Sequence, residues 1–434
     1  MGKKSARALA AAGKKGKGAG LTSDDERESV TSEASFLSQE AVEHPASAIV
    51  DDSVAGSNSR VASPAYENEA DFAEVLEKLA EKRTSTRETG LKELTAGLRS
   101  YAFADAAQAN REIIFSTLIS LIRRGGEKEG VLCAEALGLM FLLIGPEEDE
   151  IFMQIRGPLE YLVTRGQHEE VRVEAARALA MGSFICNTEE EVTLANLSFF
   201  QGLFSGESEG ERASEELKAA GVDSWALLAT VAPNGYHTHE LRVQLLEELL
   251  GLLDASSAEL KVAAGEGLAL LREYWRQVPV ASHDVSAEEE DLLESIVDRL
   301  RDMAREGSKR MSRKDKKAQR ASFREVYAAV AEGQPPEEVI NFRTRSFRLT
   351  SWVKMKQLES FRDCLQGGLL AAFGTNPVIH DVLEIDPASF ETPSERRMVD
   401  KNSELGKWRT TTRSRNRRTR ESAKHHFTED GEDS

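Results

Sequence analysis

Two runs of lysine and arginine hold the residues best suited to act on a partner. Lys309, Arg310, Arg313, Lys314, Lys316 and Lys317 lie in the stretch Arg305 to Arg324, which has nine Lys/Arg against two acids. Lys407, Arg409, Arg413, Arg415, Arg417, Arg418 and Arg420 lie in Lys407 to Lys424, with eight cations against one acid, and Trp408 stands among them. Cations at this density can track a phosphate backbone and release its counterions, and a neighbouring indole can stack on a base for about 1–3 kcal/mol. The plainer readings are a solvated helix face or, for the first run, a nuclear import signal. These residues are the candidate RNA-binding set.

No other chemistry assembles. Gly13, Gly16, Gly18 and Gly20 lack a preceding strand and a Gly-Lys-Ser/Thr ending, so they form neither a P-loop nor a dinucleotide fingerprint. The close histidine pairs, His237-x-His239 and His425-His426, point to no third ligand. Cys133, Cys186 and Cys364 are far apart and odd in number, which excludes a disulfide framework and a cysteine zinc site and fits a reducing compartment. Cys133 and Cys186 fall on apolar stripes and read as core thiols. Serine-hydrolase, zinc-protease and kinase signatures are missing. Glu147 to Glu150 after Gly145-Pro146 read as an acidic helix start, and Asn196-Leu197-Ser198 as a silent glycosylation match. The expectation is no catalytic residue, no metal, no cofactor, no small-molecule substrate and no enzyme.

The chain of 434 residues carries a net charge of −18, which taken alone argues against nucleic acid. The charge is unevenly spread. Met1 to Gly20 has six Lys/Arg, no acid and no apolar core of a secretory signal. Leu21 to Glu74 has thirteen acids against two arginines and no secondary-structure period, as expected of a disordered linker. The longest apolar run, Ala136 to Gly145, falls well short of the ~20 residues that span a bilayer, so no membrane partner is expected.

The elements that must position the cations are helices. Between Asp71 and Glu306 apolar residues recur at helical spacing, broken by turns such as Arg124-Gly125-Gly126. Leu241, Leu245, Leu246, Leu249, Leu250, Leu252 and Leu253 form a wide stripe, with Arg242, Gln244, Glu247 and Glu248 on the polar side. Similar segments begin near Arg87, Val131 and Val171, 44 and 40 residues apart, and again 89 residues on at Leu260. That period fits HEAT or armadillo helix pairs, with Ala134, Ala136, Gly138, Ala175, Ala176, Ala178, Ala263, Ala264 and Gly265 where neighbours approach closely. Beyond it, Arg345 to Thr350 alternates like a strand or extended connector, and Trp352, Met355, Leu358, Phe361 and Leu365 mark another helix, in which Trp352 reads as core.

Arg320 to Val326, Pro336 to Phe342, Ser351 to Lys354 and Phe361 to Leu369 together resemble the C-terminal domain of the interferon-related developmental regulator family. Gly145-Pro146, Glu150-Ile151-Phe152 and Gly157-Pro158-Leu159 resemble its N-terminal repeat domain, and the likeness runs by eye from Asp71 to Arg420. Asn402-Ser403, Lys407, Arg409-Thr410, Arg413 to Arg415 and Arg417 resemble the family's terminal basic helix. Gly406 replaces an aromatic there, Trp408 a small residue, and Thr410 to Thr412 lower helicity. The resemblance implies a non-enzymatic regulator. Relatives are described as ribosome-binding factors whose basic C-terminal helix occupies the mRNA and tRNA path of idle ribosomes, and as transcriptional co-regulators.

The expected architecture is all-α: residues 1–70 a basic then acidic arm, 71–306 a HEAT/armadillo-like solenoid, 307–398 a small, mainly helical C-terminal domain with a basic leading segment, and 399–434 a basic tail helix with an acidic end. The expected partner is the ribosome, both rRNA and ribosomal proteins, in the cytoplasm; the alternative is a nuclear scaffold for transcriptional regulators. If six to eight tail cations meet phosphate, affinity for RNA should fall by about three or more decades between roughly 50 and 200 mM salt, a slope readable by filter binding.

Overall fold

The computed structural model describes residues 69–386 apart from 147, 207–212, 234, 237, 278–285, 306–312 and 343–344. Of 69, 70, 277, 313–318 and 345 it describes the backbone alone. Helices α1 (Glu69–Ala80), α4 (Arg111–Arg124), α6 (Asp149–Arg165), α8 (Glu190–Ser205), α10 (His239–Leu252) and α12 (Ala287–Arg305) form an outer row. Each packs on the next member of an inner row: α2 (Thr84–Arg99), α5 (Glu127–Ile144), α7 (Glu169–Ile185), α9 (Glu215–Ala229), α11 (Ala258–Gln277) and α13 (Arg313–Tyr327). A short α3 (Ala104–Ala109) bridges α2 and α4. The first five inner helices start at 84, 127, 169, 215 and 258, so successive starts lie 42 to 46 residues apart.

Inner helices pack mainly on one another, through the small residues the sequence marks. Ala134, Ala136, Ala175, Ala176, Ala178, Ala263 and Ala264 are all buried. The fourth repeat uses Ala219, Ala220 and Gly221 of α9 in the same place. Charged and polar bonds join neighbours one period apart. Arg87 makes a bidentate ion pair with Glu129 and donates to the carbonyls of Glu81 and Lys82 at 3.1 and 2.6 Å. The Ser214 hydroxyl donates to Glu169, and Glu215 accepts from the Ser256 and Ser257 amides at 3.0 and 2.6 Å. Arg242 donates to Glu289 at 3.3 Å.

Arg242 departs from the polar face assigned to it. It is 6% exposed, because α12 brings Glu289 against it and Trp275 lies 5.8 Å from its guanidinium carbon. A single helix cannot reveal that its polar edge meets the next repeat. Asn196 is fully buried on α8 and donates to the Ser183 hydroxyl at 2.8 Å, which takes the glycosylation match away from the surface.

After α13 the chain makes one π-turn (Ala328–Glu332) and a hairpin of β1 (Glu338–Phe342) and β2 (Arg345–Leu349), antiparallel with Ile340 opposite Phe347. Gly333 ends the π-turn at φ +70°, and Arg276 donates to the Ala329 and Val330 carbonyls at 3.2 and 3.3 Å, capping it. Helix α14 (Trp352–Leu365) then crosses the inner row as a third layer, against α5, α9 and α11, with Phe361 6.2 Å from Phe184 of α7. The helices α15 (Leu369–Thr375) and α16 (Pro377–Val382) follow. Asn376 caps α16 and donates to the Tyr101 hydroxyl at 2.6 Å and the Leu142 carbonyl at 3.2 Å, pinning the end of the described chain to its beginning.

This third layer accounts for the apolar run Ala136 to Gly145. Helix α5 has outer, lateral and third-layer neighbours, so nearly all its second half is buried, and a helix buried on every side is apolar on every side. Removing Glu129 should leave the Arg87 charge buried and lower the unfolding free energy by about 3–5 kcal/mol, whereas the apolar pair Arg87→Met/Glu129→Leu should recover most of that loss in denaturant titrations.

Candidate functional site

The first cationic run sits at the end of the inner row. Lys309 and Arg310 lie outside the described residues, while Arg313, Lys314, Lys316 and Lys317 belong to α13. The second half of that helix is anchored. Phe323 and Val326 are buried, a methyl added at Gly265 of α11 would stand 3.2 Å from the Phe323 ring, and Arg301 lies over Tyr327 at 5.8 Å. The second run, Lys407, Trp408, Arg409, Arg413, Arg415, Arg417, Arg418 and Arg420, lies outside the described residues. The last described helix, α16, lies beside α2 and α5, whereas α13 closes the far end of the row.

Between the inner row and α14 lies a polar seam that sequence reasoning missed. The Lys356 ammonium is 6% exposed and contacts three carboxylates: Asp223 of α9 at 2.5 Å, Glu359 of α14 at 2.7 Å and Glu266 of α11 at 3.4 Å. The carboxylate oxygens lie within 4.8 Å of one another, close enough to ligate a cation, but the ammonium supplies the positive charge there. Burial works against the Lys356 charge, yet Asp223, Glu359 and Glu266 outweigh it and hold the amine well above the ordinary lysine range. Burial, then the Glu359 charge, pushes the Glu266 carboxyl well above the usual glutamate range. The sequence signal was Lys356 four residues after Trp352, on the side of α14 that carries its apolar stripe.

Beside this cluster a cavity of about 300 Å³ is lined by Arg99, Glu135, Glu174, Arg177, Arg362 and Cys364, among others. Its cations are paired: Arg99 with Glu135 at 3.0 Å, Arg177 with Glu174 at 2.5 Å and Arg362 with Glu338 of the hairpin. Burial pushes the Cys364 thiol up to about 12 and raises those of Cys133 and Cys186 as well, so none offers a thiolate at neutral pH. Among the described residues the seam works as a joint between layers.

The resemblance landmarks build the same joint. The Ser351 hydroxyl donates to Glu273 of α11 at 2.7 Å and caps α14, whose first amide, that of Trp352, donates to the same carboxylate at 2.7 Å. Gly368 has no side chain because a methyl there would stand 2.1 Å from the Arg99 carbonyl. Trp352 is 7% exposed and belongs to the core.

Fold and surface thus define a helical-repeat scaffold whose inner row is covered by its own chain and which carries a cation-rich helix, α13, at one end. The profile of the Interferon-related developmental regulator (IFRD) family matches residues 40–331, and the chain belongs to that family. It is 28% identical over 320 residues to mouse interferon-related developmental regulator 2, covering 71% of each chain. It is 25% identical over 318 residues to mouse regulator 1 and 24% to human regulator 1, covering 71% of this chain and 69% of each of those. The landmarks from Pro336 onward lie beyond the family-profile match.

Replacing Lys356 by Met should leave three facing carboxylates without their counter-charge and cost about 3–5 kcal/mol. Because Glu266 holds its proton more tightly folded than unfolded, the stability it confers is complete below the ordinary glutamate range and is lost as pH rises through its raised value. Glu266→Gln should therefore flatten the decline of stability above about pH 4.5 in thermal melts.

Proposed function

We propose that this chain is a non-enzymatic, ribosome-associated regulator of translation: the helical array docks on ribosomal protein and rRNA, the run from Lys309 to Arg324 contacts rRNA, and the tail from Asn402 to Lys424 blocks the mRNA/tRNA path of inactive ribosomes. The observation that carries it is the cation density of α13, six Lys/Arg against two acids over Arg313–Tyr327, which suits an anionic partner. Family membership supports a regulatory role, since the relatives are named developmental regulators. Inhibition is steric, which suits a protein whose described cavity cations are committed to ion pairs. Contacts through lysine and arginine read charge and shape with little sequence preference.

The same lysine and arginine density in Lys309 to Lys317 satisfies a nuclear import signal, which favours the second reading, a nuclear co-regulator built as a protein scaffold. Sucrose-gradient sedimentation of the full chain, of a chain ending at Met398 and of an Arg413/Arg415/Arg417/Arg418→Gln variant separates the two. The full chain should travel with single ribosomes, and both altered chains should lose about tenfold or more of that fraction at moderate salt. Light fractions for every form, with RNase-resistant partners and nuclear accumulation that depends on Lys309 to Lys317, would replace the ribosome reading with the scaffold.

A further inference from the structure

A groove of about 630 Å³ opens where the turns α4–α5 and α6–α7 meet, and its lining includes Arg123, Arg124, Arg165, His168 and Tyr161 but no aspartate or glutamate. In a chain with 74 acids that composition is unusual. The three arginines are exposed, and Tyr161 is 66% exposed. Among the described residues none of the three has a carboxylate partner, although Arg87, Arg99, Arg111, Arg156 and Arg172 nearby are all ion-paired. Arg123, Arg124 and Arg165 stand in the last turns of α4 and α6, where the helix dipole favours a cation. That explains one cation at each helix end, but not the missing counter-charges or the exposed ring.

We propose that this groove is an RNA-binding site that takes the phosphodiester backbone of a single-stranded or looped segment on Arg123, Arg124 and Arg165 and stacks one base on Tyr161. Arginine presents a planar fork of donors that matches a phosphate. At Gly126 and Gly157 an added methyl would meet nothing, so a ligand backbone can come close to the protein chain. An acidic peptide fits less well, because Ile122, Leu162 and Val171 in the lining are themselves buried and leave no apolar slot for peptide anchors. The site deepens the ribosome reading and rests on it for its biological partner, but it uses none of the residues assigned there.

The test uses the full chain with Arg413, Arg415, Arg417 and Arg418 changed to Gln, so that the tail does not dominate, and a fluorescent 12-nucleotide single-stranded RNA followed by anisotropy. Arg123→Gln/Arg124→Gln/Arg165→Gln should weaken binding about tenfold or more and reduce the salt slope by about two, as expected for three phosphate contacts to a single strand. Tyr161→Ala should cost about fivefold or more and Tyr161→Phe nothing, because stacking needs the ring and not the hydroxyl. 4-Thiouridine in the RNA should crosslink to α6. Circular dichroism reports whether each variant keeps its helix content. Unchanged affinity and salt slope in a folded triple variant overturn the proposal, as does equal, equally sensitive binding of a 12-residue glutamate peptide. Ribosome sedimentation of the triple variant with an intact tail is read separately: retained sedimentation with lost RNA binding leaves the groove standing as an RNA site, and retained sedimentation of the tail variant with retained groove binding removes the tail's role alone.

Discussion

The inner row is apolar on two sides, and in water the side turned away from the outer helices must be covered. Stacking repeats along the row covers each helix laterally but leaves that second face open. Here α14 closes it with Trp352, Leu358, Phe361 and Leu365, all buried, each worth roughly 1.5–3 kcal/mol relative to exposure. Lys356 and its three carboxylates then fix where α14 can lie, because any slide along the row would strand a buried charge.

With its inner face occupied by its own chain, this array leaves, among the described residues, the outer row, the row ends and the turns for contact. The cations follow that division. Those along the seam are committed to ion pairs, whereas Arg123, Arg124 and Arg165 at the turns form no ion pair among the described residues. The contacts of Asn376 with Tyr101 and Leu142 bring the last described helix back to the row's beginning, whereas α13 lies at its other end. A net charge of −18 makes such local positive regions selective for an anionic partner that can reach them, while the rest of the surface repels it.

Much of the fold was legible because it repeats. The spacing of Arg87, Val131, Val171 and Leu260 places all four on inner helices, and the alanines beside them line the helix contacts. The stretch Arg345 to Thr350 became a strand, as its alternation suggested, but its partner Glu338 to Phe342 was not marked, since only pairing makes that segment extended. The cationic runs were visible as composition. The groove at Arg123, Arg124 and Arg165 was not, because its residues come from two turns about 40 residues apart.

Local sequence determined the helices, their period, their tight contacts and the positions of the charge runs, since each depends on residues within a few turns of one another. Tertiary structure decided which charges remain free. Arg242 and Lys356 look like solvated cations in their own helices, yet both are buried against carboxylates from other repeats. Arg123 and Arg165 look no different in sequence and form no ion pair among the described residues. The physical reason is that desolvation and pairing depend on what the neighbouring layer brings, and that neighbour lies roughly forty to more than a hundred residues away in the chain.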